Sequence, residues 1–278
     1  MSNRSHAVIN GLGYSYEVKG QGAPLLLLHG FTGDISTWNP VVDRLAEQYR
    51  TIAVDLPGHG KTEAPENPDR YGAENTAKDL AGLLDYLGID RAYVLGYSMG
   101  GRLALTFSFL YKEKVKGLIL ESASPGLKSE SERSDRRARD EKLASMIDEV
   151  GIKAFVDYWE NIPLFASQRK LPEDSREEIR RQRLNQRPHG LANSLRGFGT
   201  GSQPSWWKRL GELEVPVILL AGELDTKFVA IADEMEKGLG NAEKRVVKET
   251  GHAIHVEQPQ IFGKIVVDCM KMLSKLSN

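Results

Sequence analysis

Gly96-Tyr97-Ser98-Met99-Gly100 is preceded by the apolar run Tyr93-Val94-Leu95 and followed by Leu103-Ala104-Leu105. It reads as a serine set where a strand turns sharply into a helix. Such a turn crowds the backbone, so both flanking positions call for glycine, and the strained bend holds the Ser98 hydroxyl out. Five residues with three fixed positions also occur by chance at ordinary strand ends. The surrounding order has to decide.

Downstream, the apolar run Val217-Ile218-Leu219-Leu220 ends in Gly222-Glu223-Leu224-Asp225, and Arg245-Val246-Val247 ends in Thr250-Gly251-His252. Serine, acid and histidine thus follow in the chain order of an α/β-hydrolase fold, each just past a strand. A serine hydroxyl is a weak nucleophile and a weak base until an imidazole takes its proton, and a carboxylate fixes the imidazole tautomer. Ser98, Asp225 and His252 are the expected catalytic residues. Upstream, Pro24-Leu25-Leu26-Leu27-Leu28 reads as a buried strand leading into His29-Gly30-Phe31-Thr32-Gly33. This is the usual place of an oxyanion loop, with the backbone N–H groups of Phe31 and Met99 aimed at developing negative charge. His29 is read as a buried histidine that shapes the loop.

Working outward, residues 13–122 and 206–278 alternate strands with amphipathic helices. Ala77, Leu80, Leu84 and Leu87 make one helical stripe, and Ile261, Ile265, Val266 and Leu273 another. That alternation predicts a mostly parallel central sheet covered by helices on both faces. From about Ala123 to Ser205 the strand signal vanishes, and charged helical sequence takes over with breaks near Gly151, Pro163, Pro172 and Pro188. The expected division is a core of residues 1–122 and 206–278 with a helical lid, residues 123–205, inserted after a central strand. Lying over the strand ends that bear the nucleophile, the lid would choose the substrate.

Composition fits one compact soluble enzyme: 278 residues, 40% hydrophobic, 27% charged, formal net charge −1. Nothing points to nucleic acid. Met1 to Lys19 lacks the apolar core of a signal peptide, and no run approaches the roughly 18 apolar residues of a membrane span, so the expected compartment is the cytoplasm. The single cysteine, Cys269, excludes an internal disulfide and sits among Val266, Val267, Met270 and Leu273 on what reads as a packed helix face. No cofactor or metal is expected: His252 and His255 have an i, i+3 spacing, but His252 belongs to the triad and no third ligand is evident.

The segment 123–205 holds 11 of the 19 arginines but only 4 of the 18 lysines. Arginine suits planar, bidentate recognition of carboxylates. Arg176, Arg180, Arg183 and Arg187 follow a 4-3-4 spacing that would align them on one helix face, and Arg133, Arg136, Arg137 and Arg139 form a second group. Mixed charge runs also mark solvated helices laced with i, i+4 pairs; the set taken together is expected to bind carboxylates. Arg102 lies one turn beyond Ser98 on nearly the same helix face. A salt bridge to the lid or an exposed tail would account for it, but a cation beside the nucleophile suits an anionic substrate, and a substrate contact is the preferred reading.

The chain resembles the 2-succinyl-6-hydroxy-2,4-cyclohexadiene-1-carboxylate synthase family of the α/β-hydrolase superfamily, involved in menaquinone biosynthesis. The resemblance spans nearly the whole chain and is carried by His29-Gly30-Phe31-Thr32-Gly33, Tyr97-Ser98-Met99-Gly100-Gly101-Arg102, Glu121-Ser122-Ala123-Ser124-Pro125-Gly126-Leu127, Trp159 to Gln168, Gly199-Thr200-Gly201-Ser202-Gln203-Pro204 and Asp225-Thr226-Lys227-Phe228. The elbow and triad are shared across the superfamily; the Ser-Pro-Gly-Leu, Pro-Leu-Phe-Ala-Ser and Asp-Thr-Lys-Phe stretches are more particular. What the resemblance implies is a lyase that removes a ring proton and expels pyruvate, with Ser98 as base activated by His252 and Asp225. It implies a small polycarboxylate substrate held by Arg102, by lid arginines matched to Arg136 and Arg183, and by Tyr97 and Trp159. Arg133 and Arg137 are neighbouring candidates for the first lid position. A serine esterase or carbon–carbon bond hydrolase would use the same triad, and a ligand-binding receptor on this scaffold is the third possibility.

Overall fold

The computed structural model describes residues 4–276; residues 1–3 and 277–278, which the sequence reading placed in the core, lie outside the described residues. Strands β1 (Arg4–Ile9) and β2 (Leu12–Lys19) form an antiparallel hairpin through Asn10-Gly11. Both turn residues have positive φ, 48° and 80°, as a two-residue turn matched to strand twist requires. The remaining strands are β3 (Ala23–Leu28), β4 (Tyr49–Val54), β5 (Ala92–Tyr97), β6 (Val115–Glu121), β7 (Val217–Gly222) and β8 (Ala242–Val247). The eight-stranded sheet runs β1-β2-β4-β3-β5-β6-β7-β8, antiparallel at β1/β2 and β2/β4 and parallel elsewhere.

β3 reads as continuous leucine because both its faces are covered. Leu26 and Leu28 pack with α2 (Ala73–Tyr86) and α3 (Met99–Leu110), while Leu25 and Leu27 pack with α1 (Asn39–Ala46) and the C-terminal helix, which we number α9 (Pro259–Leu276). Cys269 is buried beside Val266, Met270 and Leu273 on α9. One stripe residue falls outside the core: Ile261, in the first turn of α9, is 48% exposed, and Phe262 takes the inward position instead. Leu87, just after the last residue of α2, is half-buried and packs against the core.

Between β6 and β7 the chain forms α4 (Glu130–Trp159), a 3-10 stretch over Pro163–Lys170, α5 (Glu173–Leu184) and α6 (Pro188–Phe198). Ser129 caps α4, exchanging hydrogen bonds with Glu132 in a capping box. The expected breaks each have a local role: Gly151 kinks α4 at φ 79°, Pro163 opens the 3-10 stretch, Pro172 precedes α5 and Pro188 begins α6. These helices share a small core of Ala144, Ile147, Phe155, Val156, Leu191, Ala192 and Leu195, against which Phe31 packs. The side-chain amide of Gln182 on α5 donates to Asp34 (3.1 Å), Ser36 (2.9 Å) and Thr37 (2.9 Å), bolting the insertion to the segment after β3. Two further helices complete the order, α7 (Thr226–Gly238) and the short α8 (Ile254–Glu257).

The 4-3-4 arginine face does not form. Because α5 ends at Leu184, Arg187 lies beyond it and donates to the Thr62 carbonyl.

Candidate active site

β5 ends at Tyr97, and Ser98 adopts φ 49°, ψ −105°, a conformation costly for any residue with a side chain. The glycines flanking it are steric necessities. A Cβ at Gly96 would lie 2.5 Å from the Gly100 carbonyl oxygen, and one at Gly100 would lie 2.1 Å from that of Leu28. The Ser98 N–H donates to the Glu121 carbonyl (2.8 Å), tying the elbow to the end of β6.

The loops after β7 and β8 bring in the acid and the imidazole. His252 Nδ1 lies 2.7 Å from Asp225 Oδ2, and His252 Nε2 lies 3.0 Å from Ser98 Oγ. With Nδ1–H donating to the carboxylate, Nε2 is left as the acceptor for the serine proton. Asp225 also accepts from the Phe228 N–H at the start of α7, which fixes its orientation. The histidine is 1% and the acid 8% exposed, so their hydrogen bond is shielded from water, while Ser98 is half-buried.

His29 sets the loop after β3. Its Nδ1–H donates to the Gly30 carbonyl (2.8 Å), which also accepts from Gly33 N–H, while its Nε2 accepts from Leu56 N–H (3.0 Å). That pattern requires the neutral ring, and burial lowers the affinity of His29 for a proton accordingly. The Gly30 carbonyl and the Phe31 N–H belong to one planar peptide, so holding one aims the other. Neither Phe31 nor Met99 N–H has a hydrogen-bond acceptor among the described residues. Both residues line a cavity of about 190 Å³ with Ser98 and His252.

Arg102 lines the same cavity. Its guanidinium donates to the Phe198 carbonyl (3.2 Å) and to Gln203, and stacks 4.8 Å from the Phe198 ring centre. It has no carboxylate partner among the described residues, so the salt bridge considered from sequence is absent. Burial and then the neighbouring Arg136 push its pKa down to about 9, with Asp140 opposing. Arginine still carries its charge at neutral pH, and the shift measures how poorly that charge is compensated.

The α/β-hydrolase fold model matches residues 23–259. A Bacillus subtilis (strain 168) protein provisionally named 2-succinyl-6-hydroxy-2,4-cyclohexadiene-1-carboxylate synthase is 48% identical over 93% of this chain and 95% of its own. The chain belongs to that synthase family. A Salmonella heidelberg (strain SL476) protein named for the same synthase is 32% identical over 86% of this chain and 90% of its own. The structure of MenH from S. aureus superposes with a TM-score of 0.89 at 37% identity, covering 94% of this chain and 98% of that one.

The residues matched to the synthase family divide between two cavities. Arg136 and Trp159 line the Ser98 cavity with Tyr97; Arg136 is held by Asp140 (2.7 Å), and Trp159 packs on Phe31 and Phe155. Arg133 and Arg137 do not reach it: both bond to the Gly201 carbonyl and pair with Glu130. Arg183 lines an adjoining cavity of about 420 Å³, 4.8 Å over the Phe165 ring; Tyr97, Phe31 and Phe165 border both spaces. Gln168 is its hydrogen-bond partner (3.2 Å), and burial depresses its proton affinity, an effect Tyr97 opposes. The arginines of the insertion are not gathered at one place. Arg180 pairs with Asp157 and Glu160, Arg181 with Glu178, and Arg196 with Glu141 and Asp148.

Sequence reasoning missed several residues that shape the site. Ser122, at φ 48°, lines the Ser98 cavity and its buried hydroxyl has no partner among the described residues. Glu257 accepts from Gly251 N–H (2.8 Å) and from the Ser167 hydroxyl (2.9 Å), joining the histidine loop to the insertion. His255, weighed and rejected as a metal ligand, pairs with Glu121. The only signals were a charged residue ending an apolar strand and a second histidine three positions after His252. No group of three or more His, Cys, Asp or Glu that could hold a metal occurs among the described residues.

Proposed function

We propose that this chain eliminates pyruvate from 2-succinyl-5-enolpyruvyl-6-hydroxy-3-cyclohexene-1-carboxylate to give 2-succinyl-6-hydroxy-2,4-cyclohexadiene-1-carboxylate, the activity its relatives are named for. The observation that carries the reading is Arg102: a cation with no carboxylate partner among the described residues, in one cavity with a hydrogen-bonded Ser-His-Asp relay. Such a cation favours an anionic ligand. Ser98, deprotonated by His252 with Asp225 holding the ring, acts as the base that takes the ring proton, and no acyl intermediate is needed. The electron pair left on the substrate delocalises toward a carbonyl-type oxygen, and Phe31 and Met99 N–H donate to it as charge develops. The ring double bonds then shift as the carbon–oxygen bond to the enolpyruvyl group breaks; the group leaves as the enolate of pyruvate, which is protonated to pyruvate as His252 gives up the proton it took from Ser98.

Arg102 and Arg136 hold carboxylates on the Ser98 side, Arg183 holds one in the adjoining space, and Tyr97 and Trp159 pack the ring. The insertion, residues 123–205, acts as the lid that supplies Arg136, Trp159 and Arg183. No membrane-crossing helix occurs among the described residues, and the compartment proposed is the cytoplasm. The test is to supply the enolpyruvyl substrate and follow pyruvate, with aryl esters in parallel. Pyruvate release abolished by Ser98→Ala supports the lyase. Ester turnover without pyruvate assigns the triad to acyl chemistry, and a tight complex with neither product makes the chain a receptor.

A further inference from the structure

We infer that Glu121 and His255 form a positioning bracket that sets the Ser98–His252 geometry; the inference rests on the catalytic reading of that pair. Glu121 ends β6, where it pairs in register with Tyr97 of β5. Its carbonyl accepts the Ser98 N–H at 2.8 Å. Its carboxylate, 0% exposed, accepts from the backbone N–H of His255 at 3.1 Å and faces His255 Nδ1 at 2.9 Å through both oxygens. One residue is therefore bonded through its main chain to the nucleophile and through its side chain to the segment carrying the triad histidine. His255 lies three residues after His252, so whatever fixes the start of α8 fixes the loop that aims His252.

The bracket also reaches the oxyanion side. The His255 ring meets Tyr97 edge-on, centroids 4.5 Å apart, and Tyr97 in turn lies 5.5 Å from the His252 ring. The same Tyr97 ring abuts Gly30 so closely that a Cβ there would sit 2.5 Å from it. A shift of His255 would move Tyr97 against both His252 and the peptide that presents Phe31 N–H. A buried carboxylate is tolerated only when paired and fully hydrogen-bonded. Replacing a buried polar pair by apolar residues of similar volume is often neutral or stabilising, so stability alone does not explain this hydrogen-bonded pair. Alignment does, since displacement of a catalytic group by about 1 Å can cost on the order of 100-fold in rate.

Two variants test the inference: Glu121→Gln, and the double variant Glu121→Met with His255→Phe, whose apolar pair preserves folding if the polar one does not. A fluorophosphonate reads the relay without the lyase substrate: Ser98 Oγ bonds to phosphorus as fluoride leaves and His252 takes the serine proton. Expected for both variants is labelling at least tenfold slower per folded molecule, a comparable fall in kcat with KM within threefold, and a Ser98–His252 distance in their crystal structures beyond the native 3.0 Å. Tm should recover in the double variant while the rate does not. A double variant that labels at the native rate with the native distance overturns the inference, as does a rate loss that merely follows unfolding. Normal labelling of wild-type protein that releases no pyruvate would instead refute the substrate reading and leave the bracket standing.

Discussion

Replacing Arg102 by Met separates binding from folding. In the resting protein one nitrogen of the guanidinium serves the Phe198 carbonyl and Gln203, leaving the others free for a ligand. A charge-assisted hydrogen bond to a carboxylate contributes about 1.5–3 kcal/mol, so kcat/KM should fall between about tenfold and about 150-fold, chiefly through KM. The effect on folding works in opposition to itself. Met forfeits two charge-assisted hydrogen bonds of about 1.5–3 kcal/mol each and a cation–π contact of about 0.5–1 kcal/mol. It also removes a cation whose depressed pKa, about 9, reports uncompensated burial. The two oppose each other, so Tm should fall by less than the lost bonds alone would cause, at about 2–4 °C per kcal/mol for a chain of this size. The assay is initial-rate pyruvate release across substrate concentration, paired with thermal unfolding. A kcat/KM within threefold of wild type refutes the carboxylate contact, and a collapse of Tm alongside the rate shows that Arg102 is structural. Arg102→Lys tests the fork, and wild-type kinetics there would mean that charge alone suffices.

Ser98→Gly should abolish pyruvate release and raise Tm, because glycine relieves a backbone strain of about 1–3 kcal/mol at φ 49°; a lower Tm would show that the elbow is not strained. Arg183→Gln should raise KM about tenfold or more, as loss of a charge-assisted bond does, with fluorophosphonate labelling of Ser98 unchanged; an unaltered KM removes the adjoining cavity from the substrate path. Burial pushes the Cys269 thiol from its usual 9.0 up to about 11. Native protein at pH 8 should therefore resist iodoacetamide while the denatured chain labels fully, and labelling at the denatured rate would refute the packed position. Because the folded thiol keeps its proton to higher pH than the unfolded one, its contribution to stability declines as pH rises from about 9 to about 11.

The relay was legible because each of its members is announced locally. Ser98 needs glycine on both sides, Asp225 and His252 each follow an apolar strand, and the parallel strand order then brings three loop ends to one edge of the sheet. Helix breaks at Gly151, Pro163, Pro172 and Pro188 were legible for the same reason, since φ and the missing proline N–H are properties of single residues. Which arginine stays uncompensated was not. The eleven in the insertion look alike in sequence, yet Arg196 finds Glu141 fifty-five residues away and Arg180 finds Asp157 and Glu160 across a helix pair. Among the described residues, Arg102 finds a carbonyl, an amide and a ring but no carboxylate within bonding reach.

The mostly parallel sheet, the elbow and the chain order of Ser98, Asp225 and His252 could be read along the chain, because backbone sterics and apolar periodicity act over a few residues. Tertiary structure alone decided the charge balance: Glu121 meets His255 across 134 positions, Gln203 meets Arg102 across 101, and Arg183 is placed one cavity away from Ser98. Compensation of a buried charge depends on what arrives from distant segments, and no local pattern encodes it.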